Sequence, residues 1–387
     1  MSLASAQSAK PVTDPVRVMV VDDAVVARGL MARWIDEDPA LAVVGTVRTG
    51  KLAVEQVDTL APDVIVLDIE MPEMDGLTAL PLLLKKRPGV QVVMASTLTL
   101  RNAQISMKAL SLGAADYLPK PESNSGVSTS PEFRRDLVAK VKALGHRGKV
   151  TARSPQIKRA DAPLRPVRSA AGPTSAIPRA EVSVGAMRRW SSSVPRVLAI
   201  GSSTGGPQAL AKVLTTIGPA ATRVPIVITQ HMPATFTAIL AENLGRAAGL
   251  PSAEGQDGEL LKAGHIYVAP GGKHMVVRQG DGGPTIELND APPVNFCKPA
   301  VDPLFDSLAK VYGPAVLATV LTGMGNDGGE GALRICDAGG SVIAQDEATS
   351  VVWGMPQAVV QKKACSAVLP LDSIATKITT ILRGERG

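Results

Sequence analysis

A short apolar run, a tight glycine-bearing turn and a helix-like stretch follow one another repeatedly in this sequence, and that order decides the fold. The sharpest instance is Val197-Leu198-Ala199-Ile200, then Gly201-Ser202-Ser203-Thr204-Gly205-Gly206-Pro207, then a helical run from Gln208 to Ile217. Such a junction carries the chain out of a buried strand into a helix. A hydroxyl in the turn therefore stands clear of the sheet and faces the unpaired N–H groups of the helix end. Two comparable junctions follow, one ending in His231 and one carrying Asp327. Strands that alternate with helices in this way imply parallel, doubly wound sheets.

The alternation occupies two stretches. In residues 16–146, strands are expected at 17–21, 41–47, 64–67, 91–94 and 115–118. Helices are expected at 24–37, 51–60, 76–86 and 101–112, and a last one carries Phe133, Leu137, Val138, Val141 and Leu144 on one face. In residues 196–387, strands are expected at 196–200, 225–229, 265–269, 275–278, 285–288, 315–321 and 341–344. Helices there start near Gln208, Thr235, Ala300, Gly331 and Ile374. The strands around Gly280-Asp281-Gly282-Gly283 read as a hairpin insert. Residues 147–195 are rich in Pro, Ala, Ser and Arg and read as a basic flexible linker, with a short helix over Ala180 to Met187. Residues 1–15 are polar and expected to be disordered. The fold class is α/β: two doubly wound, mostly parallel-sheet domains joined by a linker.

Composition narrows the function. A chain of 387 residues, 45% hydrophobic, fills two cores, and with 3% aromatics those cores are Val, Leu, Ile and Ala. The net charge of +6 lies largely in the linker, and no helix-turn-helix pattern or aromatic–basic stripe follows residue 196, which argues against nucleic acid. No run approaches the ~18 apolar residues that a membrane span needs, and no signal-peptide core opens the chain. Cys297, Cys336 and Cys365 have no metal-ligand spacing and read as small buried residues of a cytoplasmic protein.

Asp22, Asp23 and Asp68 fall at the C-terminal ends of parallel strands, which share one edge of a sheet. Three carboxylates there repel unless a cation joins them, and an all-oxygen set suits Mg²⁺, which also takes a phosphate oxygen. Ser96 and Lys120, after the fourth and fifth strands, add a hydroxyl and a positive charge. The set suits phosphoryl transfer to an aspartate. Taken singly, each acid is also a helix cap.

These stretches resemble the receiver domain of two-component response regulators: Val20-Val21-Asp22-Asp23, Leu67-Asp68-Ile69-Glu70-Met71-Pro72-Glu73-Met74-Asp75-Gly76, Met94-Ala95-Ser96 and Tyr117-Leu118-Pro119-Lys120-Pro121. The resemblance implies that Asp68 takes phosphate from a chemotaxis histidine kinase. It implies that Asp23 and Asp68 hold Mg²⁺, helped by the Glu70 carbonyl with Asp22 alongside. It makes Ser96 and Lys120 sensors of the phosphoryl group, and Tyr117 the switch aromatic.

In the second stretch, a serine becomes a nucleophile when a histidine takes its proton and a carboxylate orients that histidine. Ser203, His231 and Asp327 offer that set, and Gly201-Ser202-Ser203-Thr204-Gly205 fits the Gly-x-Ser-x-Gly elbow. Their chain order, Ser then His then Asp, differs from the Ser, Asp, His of the hydrolases that carry that elbow. Ser203 or Thr204 alone also reads as a helix cap, and His231 alone as a strand-end histidine. Of the other histidines, His146 borders the linker, while His265 and His274 flank Ile266 to Gly272, which reads as a hairpin, and are expected to be structural. Gly323-Met324-Gly325-Asn326-Asp327-Gly328, with Asp346 after the next strand, mimics a dinucleotide fingerprint. An acid in the turn is unfavourable for a pyrophosphate, and the Ser203 loop lacks the Gly-Lys-Ser/Thr of a P-loop.

Ile200 to Pro207, Gln230 to Pro233, Ile266 to Gly271 and Leu321 to Gly328 together resemble the catalytic domain of the chemotaxis protein-glutamate methylesterases. The resemblance implies Ser203 as nucleophile, His231 as base and Asp327 as orienting acid, with Met324 N–H on the oxyanion and Thr204 beside the nucleophile. It implies demethylation of glutamate γ-methyl esters on chemoreceptors, releasing methanol, and deamidation of receptor glutamines, with no cofactor for the esterase step. The alternative is a response regulator whose second domain binds a partner or acts as an esterase or amidase outside chemotaxis.

Overall fold

The computed structural model describes residues 14–97, 99–121, 130–153 and 187–385. The first domain runs β1 (Val16–Val21), α1 (Val25–Asp36), β2 (Leu41–Val47), α2 (Gly50–Leu60), β3 (Val64–Asp68), α3 (Gly76–Lys86), β4 (Gln91–Thr97), α4 (Leu100–Ser111), β5 (Asp116–Lys120) and α5 (Pro131–Arg153). The strands are Val- and Ile-rich because both faces are covered: Val18, Val20, Ile65, Val66, Val92 and Val93 are wholly buried. Thr49, Asp75 and Thr99 cap α2, α3 and α4 by accepting bonds from Leu52, Thr78 and Asn102 amides. The sheet is parallel throughout with order β2-β1-β3-β4-β5, so the chain reverses direction across the sheet beside β1 and β3.

The second domain runs β6 (Val197–Ser202), α6 (Gly206–Ile217), β7 (Ile226–Gln230), α7 (Ala234–Ala248), β8 (Ser252–Glu254), β9 (Ile266–Val268), β10 (His274–Gly280), β11 (Gly283–Asn289), α8 (Val301–Tyr312), β12 (Val316–Val320), α9 (Gly329–Asp337), β13 (Ser341–Gln345), α10 (Met355–Gln361), β14 (Ala367–Leu369) and α11 (Leu371–Leu382). Its seven-stranded sheet, order β14-β13-β12-β6-β7-β9-β8, is also parallel, and β10–β11 form the antiparallel hairpin apart from it. The central strand β6 lies between β12 and β7, which fixes where a site can form.

Both domains have the expected class. The sequence pattern misses β8, β14 and α10, since two strands of three residues and a helix of seven carry no readable period. The expected boundary at 146 falls inside α5, which continues to Arg153. At the other end of the expected linker, Arg188 N–H bonds Cys365 O at 2.9 Å and Ser191 N–H bonds Ser341 Oγ at 2.9 Å. That end of the segment is laid against the second sheet. The helix expected over Ala180 to Met187 and the N-terminal tail to residue 13 lie outside the described residues, Met187 apart. No described helix is long and apolar enough to cross a membrane.

The two domains share an interface. The α4 helix packs on α7, and one apolar cluster runs from Met107, Leu110 and Tyr117 into Leu210, Phe236 and Leu240. The Tyr117 and Phe236 rings stack at 4.3 Å.

Candidate functional site

Parallel strands deliver their C-terminal ends to one edge, and both domains carry their chemistry there. In the first domain Asp22 and Asp23 follow β1 and Asp68 closes β3. Their carboxylate oxygens lie within 4.8 Å of one another, an all-oxygen set of the kind a hard divalent cation takes. Lys120 Nζ, from the end of β5, pairs with Asp68 at 2.7 Å and Asp22 at 3.1 Å. Burial pushes the Asp68 carboxyl up to about 6, with Lys120 opposing and the Asp22 charge adding. Burial works against the Lys120 charge, but its two carboxylate partners outweigh it and hold the ammonium above its usual range. Glu70 is exposed on the rim of a pocket of about 530 Å³ that also takes in Asp23, Met71, Asp75 and Arg101. Ser96 is buried and its hydroxyl is bonded to Ser106 at 3.0 Å.

In the second domain the strand ends after β12, β6 and β7 are neighbours, and they carry Asp327, Ser203 and His231 respectively. The backbone locks the two inner loops: Ser203 N–H bonds Thr322 O at 3.0 Å and His231 N–H bonds Ser202 O at 3.1 Å. The Gly-Gly pair after Thr204 is required by space. Gly205 has φ of +75°, and a Cβ on Gly206 would sit 2.0 Å from Gln230 Oε1. That same Gln230 accepts from Ser202 Oγ at 2.7 Å and donates to Ser203 O at 3.0 Å, which holds the turn.

Asp327 is buried beneath the N-terminus of α8, where it accepts the Val301 amide at 2.6 Å and the Asp302 amide at 3.0 Å. It also accepts Gly328 N–H at 2.9 Å and Asn295 Nδ2 at 3.3 Å. Its Oδ2 lies 2.7 Å from His231 Nε2. A carboxylate only accepts, so Nε2 carries the proton and Nδ1 is left to face other groups. Burial would raise Asp327, but the bonds from His231 and the α8 amides hold it below the usual carboxylate range. Its neighbour Asp302, buried and facing that charge, is pushed up to about 6. The two acids are thus driven apart by environment, one held ionised and one eased toward neutrality. Burial also works against an imidazolium at His231, yet the bonds to Asp327 and Cys297 outweigh it and the ring is pushed up to about 10.

The structure joins His231 to Asp327 but leaves the third member apart: among the described residues Ser203 Oγ forms no hydrogen bond. His231 Nδ1 instead meets Cys297 Sγ at 3.3 Å. This corrects the reading of Cys297 as a small buried residue; it is half-buried and sits on the imidazole. Thr204 is bonded across the domain interface, Oγ1 to Asp116 Oδ2 at 2.8 Å. Met324 is half-buried in the Asp327 loop, and its amide bonds no described backbone carbonyl. Tyr117 lies buried against Phe236, between the domains. His274 is structural, bonding Pro292 O and the Ala300 amide. Asp346 caps its own turn through the Thr349 amide. Sequence reasoning did not single out Asn295, Asp302 or Asp116, whose partners lie up to 88 residues away.

The receiver lies on the rim of the Ser203 turn. Beside the Thr204–Asp116 bond, Gln208 Nε2 donates to Ala114 O at 2.7 Å and Leu110 O at 3.2 Å. Val351, beside Gly205, packs against the receiver's apolar cluster.

An acidic strand-end pocket on a flavodoxin-like sheet, joined to a serine, histidine and aspartate on adjacent strand ends, defines a receiver-linked hydrolase class of protein. Residues 18–129 match the response regulator receiver domain and residues 198–378 match the CheB methylesterase. A protein-glutamate methylesterase/protein-glutamine glutaminase of group 2 operon from Rhodopseudomonas palustris is 54% identical over 381 residues, 96% of each chain. One from Rhodospirillum rubrum is 52% identical over 94% of each. The solved catalytic domain of Thermotoga maritima CheB methylesterase is 38% identical, covering 48% of this chain and 98% of that one, at a TM-score of 0.47. The chain belongs to the protein-glutamate methylesterase/protein-glutamine glutaminase family, with a receiver domain at its N-terminal side.

The Asp68 carboxyl gives a pH-dependent stability. Its folded value, about 6, lies above its ordinary 3.8, so folding disfavours the ionised form. The cost is absent below the ordinary value and full above about 6. In metal-free buffer, Asp68→Asn should stabilise the receiver by about 1–3 kcal/mol more at pH 8 than at pH 4. Denaturant midpoints across that range measure it, and a pH-independent difference contradicts it.

Proposed function

We propose that this chain is a phosphorylation-activated hydrolase that removes methyl groups from glutamate γ-methyl esters on the cytoplasmic helices of chemoreceptors and deamidates receptor glutamines. The observation that carries the reading is the set of three adjacent strand ends holding Ser203, His231 and Asp327, with the His231–Asp327 bond already formed at 2.7 Å. In this reading Ser203 Oγ attacks the ester carbonyl while His231 Nδ1 takes its proton. Asp327 fixes the tautomer and steadies the imidazolium. The Met324 amide and the open end of α6 receive the negative oxygen of the tetrahedral intermediate. His231 returns the proton to the departing methoxide, methanol leaves, and water attacks the acyl-serine by the same route. A γ-amide follows the same path and releases ammonia.

Asp68 is the phosphoryl acceptor, supplied by a histidine kinase. Mg²⁺ fits the Asp22, Asp23 and Asp68 oxygens and the Glu70 carbonyl, and when bound it neutralises the incoming phosphate. Lys120 is placed to pair with the phosphoryl oxygens and Ser96 to bond them. The switch rests on the contacts that tie the receiver to the Ser203 turn. Asp116 on Thr204, Gln208 on the α4–β5 loop and Tyr117 on Phe236 all cover the approach to the nucleophile. Phosphorylation then shifts the population toward the undocked arrangement.

Methanol release from methylated receptor membranes tests both halves. The full chain should release methanol faster with a small-molecule phosphodonor, and Ser203→Ala should lose at least about a thousandfold. Release that survives Ser203→Ala contradicts the nucleophile. Asp68→Ala should abolish the response to the donor and leave the basal rate. Asp116→Ala should raise the basal rate several-fold without the donor, because it cuts the bond that holds the receiver on Thr204. An unchanged basal rate contradicts that role.

A further inference from the structure

The nitrogen that must take the Ser203 proton is not free. His231 Nε2 is committed to Asp327, so the proton must pass to Nδ1, and Nδ1 lies 3.3 Å from Cys297 Sγ. A thiol donates S–H to a neutral Nδ1, and its sulfur accepts N–H from a protonated one. In either state the serine has a competitor.

The thiol is presented by a strained turn. Val294 and Cys297 bond each other's backbones, and the two residues between them, Asn295 and Phe296, have φ of +51° and +64°. Neither is glycine, so both conformations carry a cost that the surroundings must hold. Those surroundings are Asp327 with its neighbour Asp302, and the receiver. Asn295 Nδ2 donates to Asp302 Oδ2 at 3.2 Å and Asp327 Oδ1 at 3.3 Å. Phe296, 82% exposed, lies under the Arg135 guanidinium of α5, 4.9 Å from the ring centre. One four-residue turn thus touches the orienting acid through Asn295, the base through Cys297 and the receiver through Phe296.

We propose that Cys297 is a positioning residue for the esterase reaction: its sulfur holds the His231 ring by Nδ1, and the base turns over only when Ser203 displaces that contact. This rests on the reading of His231 as the base for Ser203. The thiol keeps the imidazole aligned on Asp327 while no substrate is present, and it must leave Nδ1 before the Ser203 proton can pass there.

The test is kcat/KM for methanol release from methylated receptor membranes, measured against pH on the full chain with a phosphodonor. Neutral His231 is the active form, so the rate rises with pH through the base's value. Cys297 is one of the partners that raise that value. Cys297→Ala should therefore move the acid limb down by about half to one pH unit, the size of one neutral hydrogen bond, with a gain of about three- to tenfold on that limb. Cys297→Ser keeps a hydroxyl near Nδ1 and should fall between parent and alanine variant. A Cys297→Ala limb that superimposes on the parent's, at whatever height, overturns the proposal. Ser203→Ala runs beside it. A dead Ser203→Ala with an unmoved Cys297→Ala limb rejects only the role of Cys297, whereas an active Ser203→Ala rejects the underlying esterase reading.

Discussion

A single buried carboxylate joins the two halves of this molecule. Asp116 opens β5 of the receiver and is 3% exposed. One of its oxygens takes the Lys140 ammonium at 2.7 Å and the Thr204 hydroxyl at 2.8 Å; the other takes the Tyr117 amide at 2.9 Å. A buried charge must be fully partnered, so each of these groups is held where the others need it. Lys140 in turn donates to Tyr117 O at 2.7 Å and lies over the Tyr117 ring. Thr204 is adjacent to Ser203 in the chain. The receiver's last strand, its last helix and the Ser203 turn are therefore one hydrogen-bonded unit, and a shift in any of them changes what Asp116 sees.

That unit works because parallel sheets gather their loops at one edge. The receiver's edge holds Asp22, Asp23, Asp68 and Lys120; the second sheet's edge holds Ser203, His231 and Asp327. At both edges burial and charge tune the groups in opposite senses. Asp68 is eased toward neutrality while Lys120 is held charged. Asp327 is held ionised at the N-terminus of α8 while Asp302 beside it is raised. The His231 ring is held by Asp327 on one side and Cys297 on the other.

The parts legible in the sequence are those set by local order. An apolar run followed by Asp22-Asp23, Asp68, Ser203 or His231 announces a strand end whatever surrounds it, and the sheet then brings strand ends together. The parts not legible are set by packing across the chain. Cys297 follows no strand, and nothing near it in sequence says that it faces His231, 66 residues earlier. Asp116 falls inside the short strand expected at 115–118, with nothing to mark it; only the docked domains give it Thr204, 88 residues later. Nothing in the sequence marks Asn295 as a partner of Asp327, 32 residues later. The short strands β8 and β14 gain their place from β9 and β13, which pair with them, rather than from any period of their own.

In the proposed switch, the receiver and the Ser203 turn separate when Asp68 is phosphorylated. Amide hydrogen exchange on the full chain, with and without a small phosphodonor and Mg²⁺, tests it most directly. Peptides spanning 110–118 and 203–211 should gain exchange together on phosphorylation, since the Asp116–Thr204 and Gln208–Ala114 bonds that hold these segments against each other open as one event and expose both to water. Protection in both segments that is unchanged while Asp68 is demonstrably phosphorylated contradicts it.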